Sequence, residues 1–312
     1  MARFRVHILG CGSALPNLKH NTTAQLVEVH DKFFMVDCGE GTQLQLRKSR
    51  VHFGKVNAVF ISHLHGDHCF GLMGLVSTFG LLGRTAPFHI YAPKEMTELF
   101  DLQRRMFCQT FEYELVFHPL ETTRSEVVYE DKSLTVTTVP LSHRVPCCGF
   151  LFKEKPLQPH LNREMLDLYE IPRSQFNNIK QGQDWTTADG ETIPNSRLVL
   201  PADKPLSYAF CSDTRYMPDL HKLVYGVDVI YHESTYGDKD AANARKYYHS
   251  TASEAARVAS DSCAGLLLLG HYSSKYADET CLLDEACRVF PSVVLTNEMD
   301  VVDVANRCKV EE

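Results

Sequence analysis

The sequence predicts a layered α/β domain. Two observations carry that expectation. Apolar runs of strand length are interleaved with stretches of helical periodicity along the chain, the pattern of helices packed on sheets rather than of a bundle. Several of the apolar runs also end in a histidine or an aspartate, and this strand-then-ligand device recurs in both halves.

Residues 4–9 alternate as a strand. Gly10-Cys-Gly-Ser-Ala-Leu-Pro16 follows without the Lys-Ser/Thr of a P-loop or the dinucleotide-binding spacing, so it reads as a tight turn bringing backbone near the site. Residues 23–29 and 32–36 form a strand pair turning at His30-Asp31. Asp37-Cys-Gly-Glu-Gly-Thr then opens a helix reaching about Ser49. Asp37 either orients a histidine of the site or starts this helix, and the residues leave both readings open.

Val59-Phe60-Ile61 is a buried strand end, and His63, His65, Asp67 and His68 follow within six residues. Imidazole and carboxylate suit Zn²⁺ and related divalent ions. On an extended segment His63 and His65 point the same way and can reach one metal together. Gly66 permits a sharp turn, beyond which Asp67 and His68 aim at a second point. One hexapeptide thus supplies half of two metal sites.

A helix over residues 71–82, a strand over 88–92, a helix over 95–108 and strands over 114–119 and 127–139 come next. His143 lies just past a strand end, where a fifth ligand can enter. Residues 151–205 differ from their surroundings: six prolines punctuate them and only a short helix, 162–169, is expected. The segment reads as an arm inserted into a single domain spanning 1–312. Between residues 152 and 196 it carries five Lys/Arg against seven Asp/Glu, which is not a basic clamp.

The core resumes with a strand at 206–213 ending in Asp213, whose two oxygens suit a bridge between metals. Residues 228–235 repeat the device with His232 and Glu233. His249-Ser-Thr-Ala-Ser-Glu254 looks like a helix start, capped by Ser250 or Thr251 with Glu254 reaching back. A helix over 252–264, an apolar strand delivering His271, a helix over 278–289 and a strand over 292–295 close the domain.

Composition narrows the function. No apolar stretch approaches the roughly 20 residues of a membrane span, and the N-terminus lacks a signal-peptide core, so a cytoplasmic protein is expected. The eleven cysteines are odd in number and form no Cys-x-x-Cys pair. They read as small buried apolar residues in a reducing compartment. A net charge of −7 argues against a broad nucleic-acid-binding face.

His63-Leu-His-Gly-Asp-His68 is the signature of the metallo-β-lactamase superfamily. Four further stretches narrow the match: Leu9-Gly-Cys-Gly-Ser-Ala-Leu-Pro, Asp37-Cys-Gly-Glu-Gly-Thr-Gln, His249-Ser-Thr and His271-Tyr-Ser-Ser-Lys-Tyr. Over residues 3–295 the chain resembles the ribonuclease Z family, the tRNA 3′-processing endonucleases, in short form. That resemblance implies an αββα sandwich with an inserted arm that grips the tRNA elbow, and a homodimer. It implies two Zn²⁺ per subunit, one held by His63, His65 and His143, the other by Asp67, His68 and His271, with Asp213 between them. It implies cleavage of precursor tRNA just after the discriminator nucleotide, leaving a 3′-hydroxyl. In that chemistry Asp67 takes the proton of the attacking water. His249, oriented by Glu233, serves the leaving 3′-oxygen, and Ser273, Ser274 or Lys275 meets a phosphate.

Two departures stand out. The arm lacks the family's Gly-Pro-rich tip and reads Ile171-Pro-Arg-Ser-Gln-Phe-Asn-Asn-Ile-Lys-Gln-Gly, leaving elbow recognition to Arg173 and Lys180. Lys275 stands where arginine is more usual, keeping the charge without the bidentate fork. The alternative reading is a dinuclear zinc phosphodiesterase acting on small phosphodiesters or cyclic nucleotides, which the acidic charge and the arm's composition favour.

Overall fold

The computed structural model describes residues 4–107 and 110–310. Strand β1 (Phe4–Gly10) pairs antiparallel with β2 (Ala24–Val29), and β2 with β3 (Lys32–Val36). The chain then winds through α1 (Thr42–Lys48), β4 (Val56–Phe60), α2 (Gly66–Cys69), α3 (Leu72–Leu81), β5 (Phe88–Ala92), α4 (Glu95–Phe107) and β6 (Leu115–Pro119). Strands β3 to β6 are parallel and need crossovers, which the helices supply. The helix expected over 95–108 is described to Phe107; Cys108 lies outside the described residues.

Parallel strands covered on both faces are apolar on both. Val59 joins the core formed with Leu72, Leu75 and Phe79 of α3 and Phe100 of α4. Its neighbour Phe60 points the other way and meets Phe150 and Phe152, with ring centroids 5.4 and 5.6 Å away.

Those two phenylalanines belong to the second sheet, opened by β7 (Val127–Glu130), β8 (Leu134–Pro140) and β9 (Cys148–Glu154). Strand β9 runs on past residue 151, into the segment where the sequence suggested no strand.

By its internal contacts the chain divides into two compact units. The smaller comprises Glu130–Thr135 and Lys153–Pro205; the larger comprises Met1–Tyr129, Val136–Phe152 and Leu206–Glu312. The smaller unit holds β10 (His160–Leu161), α5 (Arg163–Leu168), α6 (Phe176–Lys180), β11 (Trp185–Thr186), β12 (Thr192–Ile193), α7 (Asn195–Leu198) and β13 (Val199–Leu200). Asn162 caps α5 through Met165 N–H. Leu166, Ile171, Ile179, Ile193 and Leu198 give this unit a small core of its own.

In the larger unit β14 (Ser207–Cys211), α8 (Leu220–Leu223), β15 (Val229–Glu233), α9 (Ala241–Tyr247), α10 (Ala252–Asp261), β16 (Leu266–Gly270), α11 (Thr280–Cys287) and β17 (Val293–Leu295) follow. Strands β14 to β17 are parallel, and the second sheet has the order β17-β16-β15-β14-β9-β8-β7. Thr251 and Glu254 form the capping box of α10, which fixes where His249 leaves the preceding turn. Two sheets face to face with helices outside make the αββα sandwich.

Two further expectations are corrected. The domain does not close at residue 295. Strands β18 (Val301–Asp303) and β19 (Cys308–Val310) return to the first sheet, where β18 pairs antiparallel with β1. Three-residue strands are too short to register as an alternating pattern. The first helix begins at Thr42, not Asp37: Asp37 has a left-handed φ of 57° and turns the chain out of β3. No helix among the described residues is long and apolar enough to cross a membrane. Cys11, Cys38, Cys69, Cys147, Cys148 and Cys211 are buried free thiols.

Candidate metal centre

Every group of the centre leaves the end of a strand. Asp37 follows β3, His63 to His68 follow β4, His143 follows β8, Asp213 follows β14, Glu233 ends β15 and His271 follows β16. Asp37, Asp213 and His271 have φ of 57°, 61° and 57°. The left-handed region costs such residues roughly 1–3 kcal/mol each. Here it swings each side chain out of its sheet toward a common point.

His63, His65, His143 and Asp213 form one group, and Asp67, His68 and His271 another. In the first, Nε2 of His63 lies 3.0 Å from Nδ1 of His65, and Nε2 of His143 lies 3.2 Å from the same atom. Asp213 Oδ2 is 3.4 Å from both Nε2 atoms. In the second, Nε2 of His68 and of His271 are 3.3 Å apart, and Asp67 Oδ2 lies 3.4 and 3.6 Å from them. The other oxygen of Asp213, Oδ1, is 3.3 Å from His68 and 2.8 Å from His271.

These spacings fit a metal. A tetrahedral Zn²⁺ with ligands about 2.0–2.1 Å away sets neighbouring ligand atoms about 3.3–3.4 Å apart. The outer nitrogens are committed elsewhere, which directs the inner ones to the centre. His68 Nδ1 faces Asp37 Oδ2 at 2.7 Å. His63 Nδ1 faces the Ser62 hydroxyl at 3.0 Å, and that hydroxyl donates to Asp37. His143 Nδ1 donates to the Tyr248 carbonyl at 3.1 Å. His271 Nδ1 faces the Thr235 hydroxyl, which donates to Glu233. These residues make clusters of the kind that could hold a metal ion.

Electrostatics agree. Burial, with neighbouring histidines, lowers the pKa of His63 and His65 and brings His143 down to about 4, so these rings stay neutral as metal ligation requires. Burial opposes charge on His68 and His271 as well, but Asp213 and its neighbours outweigh it and raise both. The carboxylates of Asp213, Asp37 and Asp67 thus favour positive charge at this end of the centre.

Beside the centre, His249 Nδ1 sits 3.0 and 3.1 Å from the two oxygens of the fully buried Glu233. Glu233 also accepts from the backbone N–H groups of Thr214 and Ser250. Burial works against charge on His249, yet Glu233 raises its pKa. Its Nε2 has no hydrogen-bond partner among the described residues and its ring lies 5.3 Å from that of His143. Ser273 is half-buried and Ser274 exposed. Lys275 is ion-paired with Asp240 and lies over the Tyr276 ring, so any phosphate must compete with that carboxylate.

Three contributors escaped the sequence reading. Ala14 N–H donates to Asp67 Oδ2 at 2.8 Å. Ser62 and Thr235 relay carboxylates to histidines. A hydroxyl next to a histidine, or two residues past Glu233, is a weak sequence signal; a backbone N–H leaves none.

The first-sheet helices, the facing second sheet and this centre define a protein of the metallo-β-lactamase fold. A metallo-β-lactamase fold protein of Bacillus subtilis has a TM-score of 0.68 at 18% identity, covering 96% of this chain and 99% of that one. The short form of human tRNase Z has a TM-score of 0.70 at 23% identity, again covering 96% and 99%. A family model described as Anti-Pycsar protein Apyc1 matches residues 4–159. The ribonuclease Z of Bacteroides fragilis is 53% identical over 298 residues, 96% of this chain and 98% of that protein. The chain belongs to the ribonuclease Z family, the endoribonucleases that process the 3′ end of tRNA.

Proposed function

We propose that this chain is a zinc-dependent endoribonuclease that removes the 3′ trailer from precursor tRNA, cutting after the discriminator nucleotide. The observation that carries the reading is the sharing of Asp213: one oxygen faces His63 and His143, the other His68 and His271. His63, His65 and His143 would hold one zinc, Asp67, His68 and His271 the second, with Asp213 between. When bound, the two ions would lower the pKa of a water toward about 7 and offset charge on the phosphoryl oxygens.

The chain's own groups do the rest. Asp67, held by Ala14 N–H, accepts the proton of the attacking water. Water oxygen bonds to phosphorus as the P–O3′ bond breaks. Glu233 holds Nδ1 of His249, leaving the opposite edge, at Nε2, to give a proton to the departing 3′-oxygen. The tRNA keeps a 3′-hydroxyl and the trailer a 5′-phosphate. Ser273, Ser274 and, once released from Asp240, Lys275 are candidates to meet a phosphate oxygen.

In the smaller unit Arg163, Arg173 and Lys180 line one cavity with His160 and Asp167. These cations support the reading of the inserted arm, 151–205, as the grip on the tRNA elbow. The homodimer that the family resemblance implies, in the cytoplasm, completes the proposal.

The test is cleavage of a 3′-extended precursor tRNA by wild type and Asp67→Ala, with end mapping. Cleavage at the discriminator, lost in the variant, is expected. An intact precursor alongside hydrolysis of small diesters would replace the proposal with the small-phosphodiester reading.

A further inference from the structure

A second cluster, sharing no residue with the metal centre, lies at the base of the loop joining β1 to β2. Cys11, His20 and Glu298 converge there, a combination of metal-binding type. The proton count favours a cation of the protein's own. His20 Nδ1 is 3.0 Å from Glu298 Oε2, and Nε2 is 3.3 Å from Glu279 Oε1. Imidazole donates from both nitrogens only when it is charged. Cys11 Sγ lies 3.3 Å from His20 Nδ1, farther than Glu298 Oε2 does, and has the Thr296 carbonyl as an acceptor 3.5 Å away; burial, then Glu298, pushes its pKa well up, so it keeps its proton. Lys19 pairs with Glu279. Two carboxylates and two cations therefore balance.

The cluster fixes a loop that reaches the reacting centre. Glu298 Oε1 accepts from Asn21 N–H at 2.7 Å, and the Asn21 carbonyl accepts from Gly12 N–H at 2.9 Å. Ser13 N–H donates to the carbonyl of Tyr272, the residue after His271. Ala14 follows with a left-handed φ of 48°, a conformation an alanine holds only when its surroundings impose it. Its N–H is the one that binds Asp67 Oδ2.

We propose that His20 is a positioning residue for the hydrolysis: as an imidazolium bridging Glu279 and Glu298, it holds the 11–21 loop and thereby the Ala14 N–H on Asp67. The inference rests on the role given to Asp67 above. His20 is 4% exposed. The groups facing it are Glu279, Glu298, Cys11 and the Tyr272 ring, 5.4 Å away, with Lys19 behind Glu279. Burial opposes its charge, but Glu298 and then Glu279 raise its pKa above the ordinary value. The clamp is therefore present below that raised pKa and lost as pH rises through it.

The experiment compares wild type, His20→Arg and His20→Gln in the zinc-loaded protein. It measures kcat and KM for bis-p-nitrophenyl phosphate across pH, with folded fraction and bound zinc determined alongside. His20→Gln should lower kcat about tenfold or more at nearly unchanged KM, the scale on which a misplaced catalytic group acts. His20→Arg keeps a cation at every pH, so its kcat relative to wild type should rise as pH passes the pKa of His20. A flat ratio, or full kcat in folded His20→Gln, overturns the proposal. If His20→Gln does not fold, the arginine ratio alone decides. A third zinc per chain, lost in Cys11→Ser, would overturn it in favour of a metal site. Wild type that hydrolyses the diester but leaves precursor tRNA intact would sink the substrate reading and leave the His20 comparison standing.

Discussion

Asp37 Oδ2 lies 2.7 Å from His68 Nδ1, and both side chains are wholly buried. The same carboxylate accepts from the Ser62 backbone N–H and hydroxyl at 2.8 and 2.9 Å. Asp37 thereby sets the orientation of His68 directly and of His63 through Ser62. Asp37→Ala should weaken zinc binding and activity about 10–100-fold, the usual cost of removing a carboxylate behind a ligating histidine. Zinc titration of the metal-free protein checks this; an unchanged affinity would refute the orienting role.

Zinc removal by a chelator should lower the melting temperature, and added zinc should restore it. Free zinc at 100 times its Kd is worth about 2.7 kcal/mol for each site. Protons compete for the same nitrogens, so affinity should fall as pH drops and zinc uptake should release protons. Calorimetry in buffers of different ionisation enthalpy reads that release directly.

His249→Ala should lower kcat for precursor tRNA about 10²–10⁴-fold, the range for losing a general acid, with KM little changed. Glu233→Gln should act in the same direction, and the double variant should be no worse than the more severe single one. Additive losses would mean that the 3.0 Å pair does not act as a unit.

Gly39 and Gly71 pass so close to the metal-bearing segment that a Cβ would not fit. At Gly39 it would strike the Asp67 carbonyl and the Thr22 side chain; at Gly71 it would strike the Gly39 carbonyl. Gly39→Ala should cost about 1–3 kcal/mol of stability and reduce zinc occupancy together with it. A stable variant with full zinc would show that the close approach is not required.

Deleting residues 155–195 should abolish cleavage of precursor tRNA while sparing hydrolysis of bis-p-nitrophenyl phosphate. The removed segment carries its own apolar cluster, including Leu166, Ile179 and Ile193. Equal loss of both activities would make the segment a structural element rather than a substrate grip.

The layered α/β class and the hexapeptide His63 to His68 are legible from local chain pattern alone. Strand ends mark themselves by an abrupt change from apolar to ligand residues, a local signal. Asp213 and His271 were legible for the same reason, each just beyond an apolar run. The capping box at Thr251 and Glu254 was equally local, because both partners lie within one helical turn.

What tertiary structure decided is what depends on distance across the fold. Asp37 stood open between two readings because its partner, His68, lies 31 residues away. The Ala14 contact to Asp67 spans 53 residues and uses a backbone N–H that every non-proline residue possesses. Strand β18 acquires its place only by pairing with β1, some 300 residues earlier in the chain, and β19 by pairing with β18. The partners of His20, Glu298 and Glu279, lie 278 and 259 residues away in the chain. Residue type records which chemistry a position can perform; the folded chain brings together the partners that select it.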